Sequence, residues 1–211
     1  MVATIEAIVE ETAADIGKQH LSPAVMAAME SVPRHQFVPA SCRDQAYRDS
    51  PLPIGYEQTI SQPYMVALMT DLLNPQPDHV VLEVGTGSGY QAAILSQLVK
   101  HVYSIEIVAP LAASAEKTLH QLGYRNVSVF AGNGYAGLPE YAPYDGIIVT
   151  AGGEIPAPLV EQLKVGGRML IPVAEADGAQ YLTLLKKSAD TELVSEKILR
   201  VRFVPLAGKN H

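Results

Sequence analysis

Val80-Val81-Leu82-Glu83-Val84-Gly85-Thr86-Gly87-Ser88-Gly89-Tyr90 passes without a break from an apolar run into a glycine-dense turn and then into a helical pattern. A run so short and apolar reads as a strand buried on both faces, the kind a parallel sheet requires. In such a sheet the turn after the strand lies at the carboxyl edge, where ligands bind. Gly85 and Gly87 would let the backbone bend sharply and approach a ligand with no Cβ in the way.

The residues around the turn narrow the ligand. A dinucleotide fingerprint needs glycine at the first, third and sixth positions, but counting from Gly85 the sixth place is Tyr90, and glycine falls one earlier at Gly89. Glu83, one residue from the strand's end, would repel a pyrophosphate and suits a cationic ligand. S-adenosylmethionine, with its ammonium and sulfonium, is such a ligand. Glu106 closes the next apolar run, where a carboxylate can accept hydrogen bonds from two ribose hydroxyls in either cofactor class. Taken singly, Glu83 also reads as a capping or ion-paired carboxylate, and Glu106 as a solvated strand end.

Outward from this segment, short apolar runs alternate with helical stretches. Val80–Val84, Val102–Ile105, Val127–Phe130 and Gly146–Val149 read as buried strands, with helices over Gln91–Val99, Leu111–Leu122 and Pro158–Leu163. That alternation predicts an α/β fold with a doubly wound, mostly parallel sheet and helices on both faces. Arg168–Val173, Tyr181–Leu185 and Val194–Val204 complete seven strands, the last ones joined tightly enough to give an antiparallel edge. Upstream, helical spacing runs from Thr4 to Ile16, and Ser22-Pro23 opens a helix through Met29. Pro33, Pro39, Pro51 and Pro53 then impose an irregular, lid-like stretch up to Gly55. Ser61-Gln62-Pro63 restarts a helix, with Ser61 placed as its N-cap. The expected organisation is one domain over 1–211, in which 1–78 supplies N-terminal helices and substrate-facing loops and 79–211 the cofactor-binding sheet core.

Composition sets limits on partners. The 211 residues carry a formal charge of -7 with a pI near 5.3, which argues against a nucleic-acid backbone as partner. Cys42 is the single cysteine, so no internal disulfide can form. No apolar run is long enough to span a bilayer, and the acidic N-terminus lacks a signal peptide's basic head. The expectation is a cytoplasmic monomer without membrane attachment. His20, His35, His79, His101, His120 and His211 show no paired ligand spacing, so no metal site is expected.

Two further segments carry a resemblance. Leu82 to Gly89 resembles the first motif of class I methyltransferases. Leu52-Pro53-Ile54-Gly55-Tyr56-Glu57-Gln58-Thr59-Ile60-Ser61-Gln62-Pro63-Tyr64-Met65 and Arg202-Phe203-Val204-Pro205-Leu206 are similar to protein-L-isoaspartate O-methyltransferases. Val32-Pro33-Arg34, Phe37-Val38-Pro39 and Ile148-Val149-Thr150-Ala151 keep the family's order, so the resemblance covers nearly the whole chain. It implies a seven-stranded Rossmann-like methyltransferase sheet, S-adenosyl-L-methionine as cofactor, and isoaspartyl-containing peptides and proteins as partners, methylated at the free α-carboxylate so that repair starts through a succinimide. It also implies that Ser61 lies at the reacting carboxylate, that Thr59 and Ile60 help close the site, and that Glu83, Gly85, Gly87 and Glu106 hold the cofactor. Gly132-Asn133-Gly134 stands where the family usually reads Gly-Asp-Gly, so Asn133 and Gly134 are expected at the adenine, with an amide oxygen in place of a carboxylate. Tyr64 replaces a frequent His, which bears on substrate preference.

Such chemistry fits the residue inventory. A carboxylate is already the nucleophile at neutral pH, so transfer from a sulfonium asks for positioning and not for a general base. The peptide is expected along Leu52–Gln58 and the Val201–Leu206 strand end, with Tyr56 and Tyr64 shaping the groove. Three rivals stand beside this reading: a methyltransferase for another carboxylate, a nucleotide-dependent oxidoreductase, and a cofactor-binding protein that signals to a partner.

Overall fold

The computed structural model describes residues 1–189 and 192–208, so His211 lies outside the described residues. One sheet runs in the order β5-β4-β3-β6-β7-β8-β9, built from β3 (Val80–Val84), β4 (His101–Glu106), β5 (Val127–Ala131), β6 (Tyr144–Val149), β7 (Leu163–Ala174), β8 (Gln180–Ala189) and β9 (Glu192–Val201). β5, β4, β3, β6 and β7 are parallel, and β7-β8-β9 form the expected antiparallel edge. The strand order turns back between β3 and β6, which opens a crevice at their carboxyl ends.

Alternation along β3 sets the two layers. Val81 points into a core shared with α4 (Pro63–Leu73), α5 (Tyr90–Ser96) and α6 (Ala109–Gln121), whereas Leu82 and Val84 face a second core closed by α7 (Ala157–Gln162). The first core also takes in Ile5 of α1 (Val2–Glu11), Ile16 of α2 (Ala13–Ile16) and Val25 of α3 (Pro23–Ser31). The N-terminal helices therefore complete one face of the sheet.

Several expectations are corrected. The first helix breaks at Thr12, whose hydroxyl donates to the Ile8 carbonyl at 2.7 Å and whose φ and ψ of -99° and 5° leave the helical range. The proline-rich stretch is not all irregular: after two 3-10 turns, β1 (Leu52–Gly55) pairs antiparallel with β2 (Gln58–Ile60), and the edge position tolerates Pro53. Tyr56 and Glu57 at its tip take φ of 53° and 59°. Ser61 does not cap α4, since Gln62 holds the N-cap position and no side chain there makes a capping bond. Asp49 does that work from a distance, its Oδ1 accepting the Tyr64 N–H at 2.8 Å and its Oδ2 the Gln62 amide at 2.5 Å. Ser22 likewise sits at the N-cap of α3 without a side-chain cap bond, and its own N–H donates to Asp71. The last strand stops at Val201, three residues early, because Gln180 takes over the ladder: its Oε1 accepts the Phe203 N–H at 2.6 Å.

Candidate functional site

The glycine turn lies at the carboxyl end of β3, with Gly85, Gly87 and Gly89 at φ of 95°, 52° and 87°. All three are in the left-handed region that side chains disfavour. A Cβ at Gly85 would collide with Thr150 Oγ1, which donates to the carbonyls of Val84 and Gly85 at 3.1 and 2.7 Å. Glycine is thus demanded there by backbone and by the β6 end, and not only by a ligand. At Gly89 a Cβ would press within 3.1 Å of Leu119 on α6, so this glycine allows close helix packing, as the sixth does in a dinucleotide loop. Tyr90 also lines the cleft, its ring edge-on to Phe37 at 5.6 Å and under the Arg34 guanidinium at 4.7 Å.

Two carboxyl groups flank the turn in different surroundings. Glu83 is fully buried; Oε2 accepts from the Ser104 hydroxyl, which also meets Thr86 at 2.6 Å, and the Ala92 N–H favours the ionised carboxyl, while Oε1 makes no hydrogen bond of regular geometry among the described residues. Burial outweighs the Ser104 hydrogen bond, and nearby Glu106 adds to it, so the Glu83 carboxyl is pushed up to about 8. Glu106, 5% exposed, accepts the Gly87 N–H at 2.8 Å on Oε2 and the Val108 N–H at 2.9 Å on Oε1. Each of its oxygens keeps a lone pair for a further donor.

Across the cleft, β2 carries Thr59 and Ile60 to the rim, and Ser61 follows. The Ser61 carbonyl accepts from Arg34 Nη2 at 2.7 Å, but its hydroxyl makes no hydrogen bond among the described residues. Arg34 is wholly buried, and its Nε donates to the Ala46 carbonyl at 2.8 Å, so the guanidinium ties the Ser61 segment to the N-terminal turns. Desolvation lowers it to about 10, leaving it charged at neutral pH.

The third wall is the chain after β9. Gly152 N–H donates to the Val204 carbonyl at 2.7 Å and Leu206 N–H to the Gly152 carbonyl at 2.8 Å, fastening Val204–Leu206 beside the end of β6. These walls line an open cleft that reaches Thr59, Ile60, Ser61, Glu83, Gly85, Gly87, Glu106 and Gly134. Asn133 stays outside its lining. Its Oδ1 accepts the Tyr135 N–H at 3.0 Å and its Nδ2 donates to the Gly208 carbonyl at 2.9 Å. A second, open cleft adjoins the first and shares Thr59, Ser61, Thr150, Val204 and Pro205 with it. Tyr64 lines this second cleft, its hydroxyl bound to Thr12 at 2.7 Å, whereas Tyr56 is 60% exposed at the hairpin tip and lines neither.

Arg34, Asp49, Ser104, Thr150 and Gln180 were not singled out by role in the sequence, because each acts on a partner far along the chain. Arg34 and Thr150 at least lay within motifs, which was the available signal. Among the described residues no three His, Cys, Asp or Glu side chains converge on a metal position, and no helix is long and apolar enough to cross a membrane.

Comparison with known proteins agrees with this geometry. The family model for protein-L-isoaspartate(D-aspartate) O-methyltransferase (PCMT) matches residues 7–211. Protein-L-isoaspartate O-methyltransferase 2 of Polaromonas sp. (strain JS666 / ATCC BAA-500) is 54% identical over 210 residues, 99% of this chain and 100% of its own. Protein-L-isoaspartate O-methyltransferase 1 of Cupriavidus necator is 53% identical over 211 residues, covering 100% of this chain and 82% of that one. A solved protein-L-isoaspartate O-methyltransferase aligns with a TM-score of 0.84 at 32% identity, over 99% of this chain and 66% of that one. A Plasmodium falciparum structure, described as a putative enzyme of this kind in complex with S-adenosyl-L-homocysteine, shares the fold with a TM-score of 0.78 at 24% identity over 97% of both chains. On a match that runs almost end to end at more than half identity, this chain belongs to the protein-L-isoaspartate(D-aspartate) O-methyltransferase family.

Proposed function

We propose that the main cleft holds S-adenosyl-L-methionine and that Ser61 holds the free α-carboxylate of an L-isoaspartyl residue, which becomes the methyl ester from which a succinimide forms. The observation that carries this assignment is the meeting of two clefts at Thr59, Ser61 and Thr150, where the Ser61 hydroxyl has hydrogen-bonding capacity to spare. One cleft is lined by the glycine turn and suits the cofactor; the other suits a peptide.

The residues present fit the cofactor. Among the described residues Glu83 Oε1 is a buried acceptor without a hydrogen bond of regular geometry, an arrangement that costs about 1–3 kcal/mol unless a donor arrives, and a cationic group would supply one. Glu106 keeps one lone pair on each oxygen for ribose hydroxyls, Gly134 borders the adenine end, and Asn133, beside Gly134 but outside the lining of the free cleft, reaches the adenine amino group with the remaining lone pair of Oδ1 only if the Gly208 segment gives way. Gly85 and Gly87 keep the turn in its left-handed course. Bound there, the cofactor supplies a methyl group on a cationic sulfur.

The chain's own work is placement. Ser61 donates a hydrogen bond to the carboxylate, Arg34 fixes the Ser61 peptide and adds a positive charge behind it, and Thr59 and Ile60 close the rim against water. No side chain has to take a proton, because the carboxylate arrives ionised. The extended peptide lies between α4 and the Val201–Leu206 lip. A monomer in the cytoplasm completes the reading.

The test is incubation with labelled S-adenosylmethionine and paired peptides that differ only in an isoaspartyl or a normal aspartyl linkage. Label is expected as a base-labile ester on the isoaspartyl member, with succinimide following. Equal labelling of both would assign another carboxylate, and tighter binding of NAD than of S-adenosylmethionine would assign another cofactor.

A further inference from the structure

The second cleft has a charge pattern that the transfer reaction does not use. Arg200 lines it on the outer strand of the sheet and Arg202 just past that strand's end, both exposed and two residues apart. Other cations of this strand pair are engaged: Lys197 with Glu175, and Lys186 on β8 with Glu196. Among the described residues neither arginine forms an ion pair or a hydrogen bond, and no carboxylate lines the cleft. Of the acids near Ser61 along the chain, Glu57 is exposed at the hairpin tip and lines neither cleft, Asp71 bonds Lys18 and the Ser22 N–H, and Asp49 is spent on the Tyr64 N–H and the Gln62 amide; Asp15 acts on Tyr64 only through space. In a chain with a formal charge of -7, two free guanidinium groups on the peptide-sized cleft are an uneven use of scarce positive charge.

We infer that Arg200 and Arg202 select substrates carrying acidic side chains near the isoaspartyl residue. This rests on the assignment of the second cleft to the peptide. Val204 belongs to both clefts and marks the junction. An extended chain advances about 3.3 Å per residue, so a peptide alongside the strand would present its second residue from the junction to Arg202 and its fourth to Arg200. Aspartate and glutamate at those places gain Coulomb attraction that rises toward the half-enclosed cleft, while lysine meets repulsion. Guanidinium suits a carboxylate better than ammonium does, because its fork donates to both oxygens at once.

The experiment compares isoaspartyl peptides that carry Glu, Gln or Lys at the second and fourth positions, on either side of the isoaspartate. For the native chain at low salt, kcat/KM for the Glu peptide is expected to exceed that for the Lys peptide by about tenfold, contracting toward unity near 0.5 M salt. In the Arg200→Gln/Arg202→Gln chain the same ratio is expected to fall to about one with an unchanged melting temperature, since both side chains are exposed. A native ratio near one, or a ratio that survives in the double variant, overturns the inference. Failure of the Gln peptide to be methylated at all overturns it together with the assigned reaction, and so separates the two.

Discussion

The turn from Gly85 to Gly89 and the segment from Thr59 to Gln62 face each other across the main cleft, yet they are held differently. The glycine turn is fixed by its neighbours in the sheet: Gly85 N–H donates to the Ile105 carbonyl at 2.9 Å, Thr150 N–H to the Val84 carbonyl at 2.9 Å, and Glu106 holds the Gly87 N–H. The facing segment has only a short hairpin, and its placement comes from Arg34 and Asp49, 27 and 15 residues away from their respective partners Ser61 and Tyr64. The cofactor wall is therefore a property of the sheet. The substrate wall is a property of side chains that reach in from the N-terminal turns, and changes there can shift the substrate without disturbing the cofactor.

The largest effect expected from breaking this contrast comes from Gly85→Val. Both the positive φ and the Thr150 hydroxyl oppose a β-branched side chain, at about 1–3 kcal/mol for backbone strain before any clash is counted. S-adenosylmethionine affinity should fall at least about 100-fold, read by calorimetry, because the turn can no longer follow its path. An affinity within a factor of about three of the native value would show that the turn tolerates rebuilding, and the cofactor wall would lose its claim to rigidity.

Glu83→Gln comes next and separates stability from binding. Between the unfolded carboxyl value near 4.3 and the folded value of about 8, the folded chain keeps a proton that the unfolded chain releases. This group's stabilising contribution is therefore greatest below the unfolded value and is lost as pH rises, by about 1.4 kcal/mol per unit, until about pH 8. The glutamine variant, which cannot ionise, should melt progressively higher than the native chain from pH 5 to pH 8 without cofactor. It should bind S-adenosylmethionine more weakly. In the native chain the incoming ammonium should draw the proton off, so the binding heat near pH 7 should vary with buffer ionisation enthalpy, and in the variant it should not. Identical pH-melting curves for the two chains would mean that Glu83 is ionised in the free protein.

The two walls also differ in how far the sequence disclosed them. Strand, glycine turn and closing carboxylate lie within Val80–Glu106, and their roles follow from local patterns: an apolar run, alternate glycines, an acid at a strand end. The mostly parallel sheet and its antiparallel edge follow from the same alternation, extended to Val201, but the order of the strands came only from the structure. Ser61 was legible as a site through the resemblance, but its expected cap was not the right structural reason for its position. Ser-Gln-Pro before an apolar helix satisfies the local rule for a cap, and nothing local reports that Asp49 already occupies that role. The hairpin at Leu52–Ile60 was hidden for a related reason, since Pro53 argues against a strand unless the partner leaves its nitrogen unpaired at an edge. Asn133 was expected at the adenine only through the resemblance, and nothing local reports that its oxygen and amide also bond Tyr135 and Gly208.

Ser61→Ala and Asp49→Ala carry the smallest expected effect on stability and the sharpest test of the substrate wall. Asp49→Ala removes the acceptor for the Tyr64 N–H at the start of α4 and frees Gln62, so it should cost about 1–2 kcal/mol and lower the melting temperature. Ser61→Ala removes a hydroxyl with no hydrogen-bond partner among the described residues, so its effect on stability should stay within about 0.5 kcal/mol. Its effect should appear in catalysis: about a tenfold lower kcat/KM for an isoaspartyl peptide, the worth of one hydrogen bond to a charged group, with cofactor affinity unchanged. The aspartate variant should also lose activity, but through a displaced Ser61, so a higher peptide concentration restores part of it. The pairing leaves little room for a merely structural Ser61. Should Ser61→Ala match Asp49→Ala in melting temperature and keep native turnover, the hydroxyl is a helix-start residue after all, and the carboxylate must be held by Thr59 or Thr150, which share the junction of the two clefts with it.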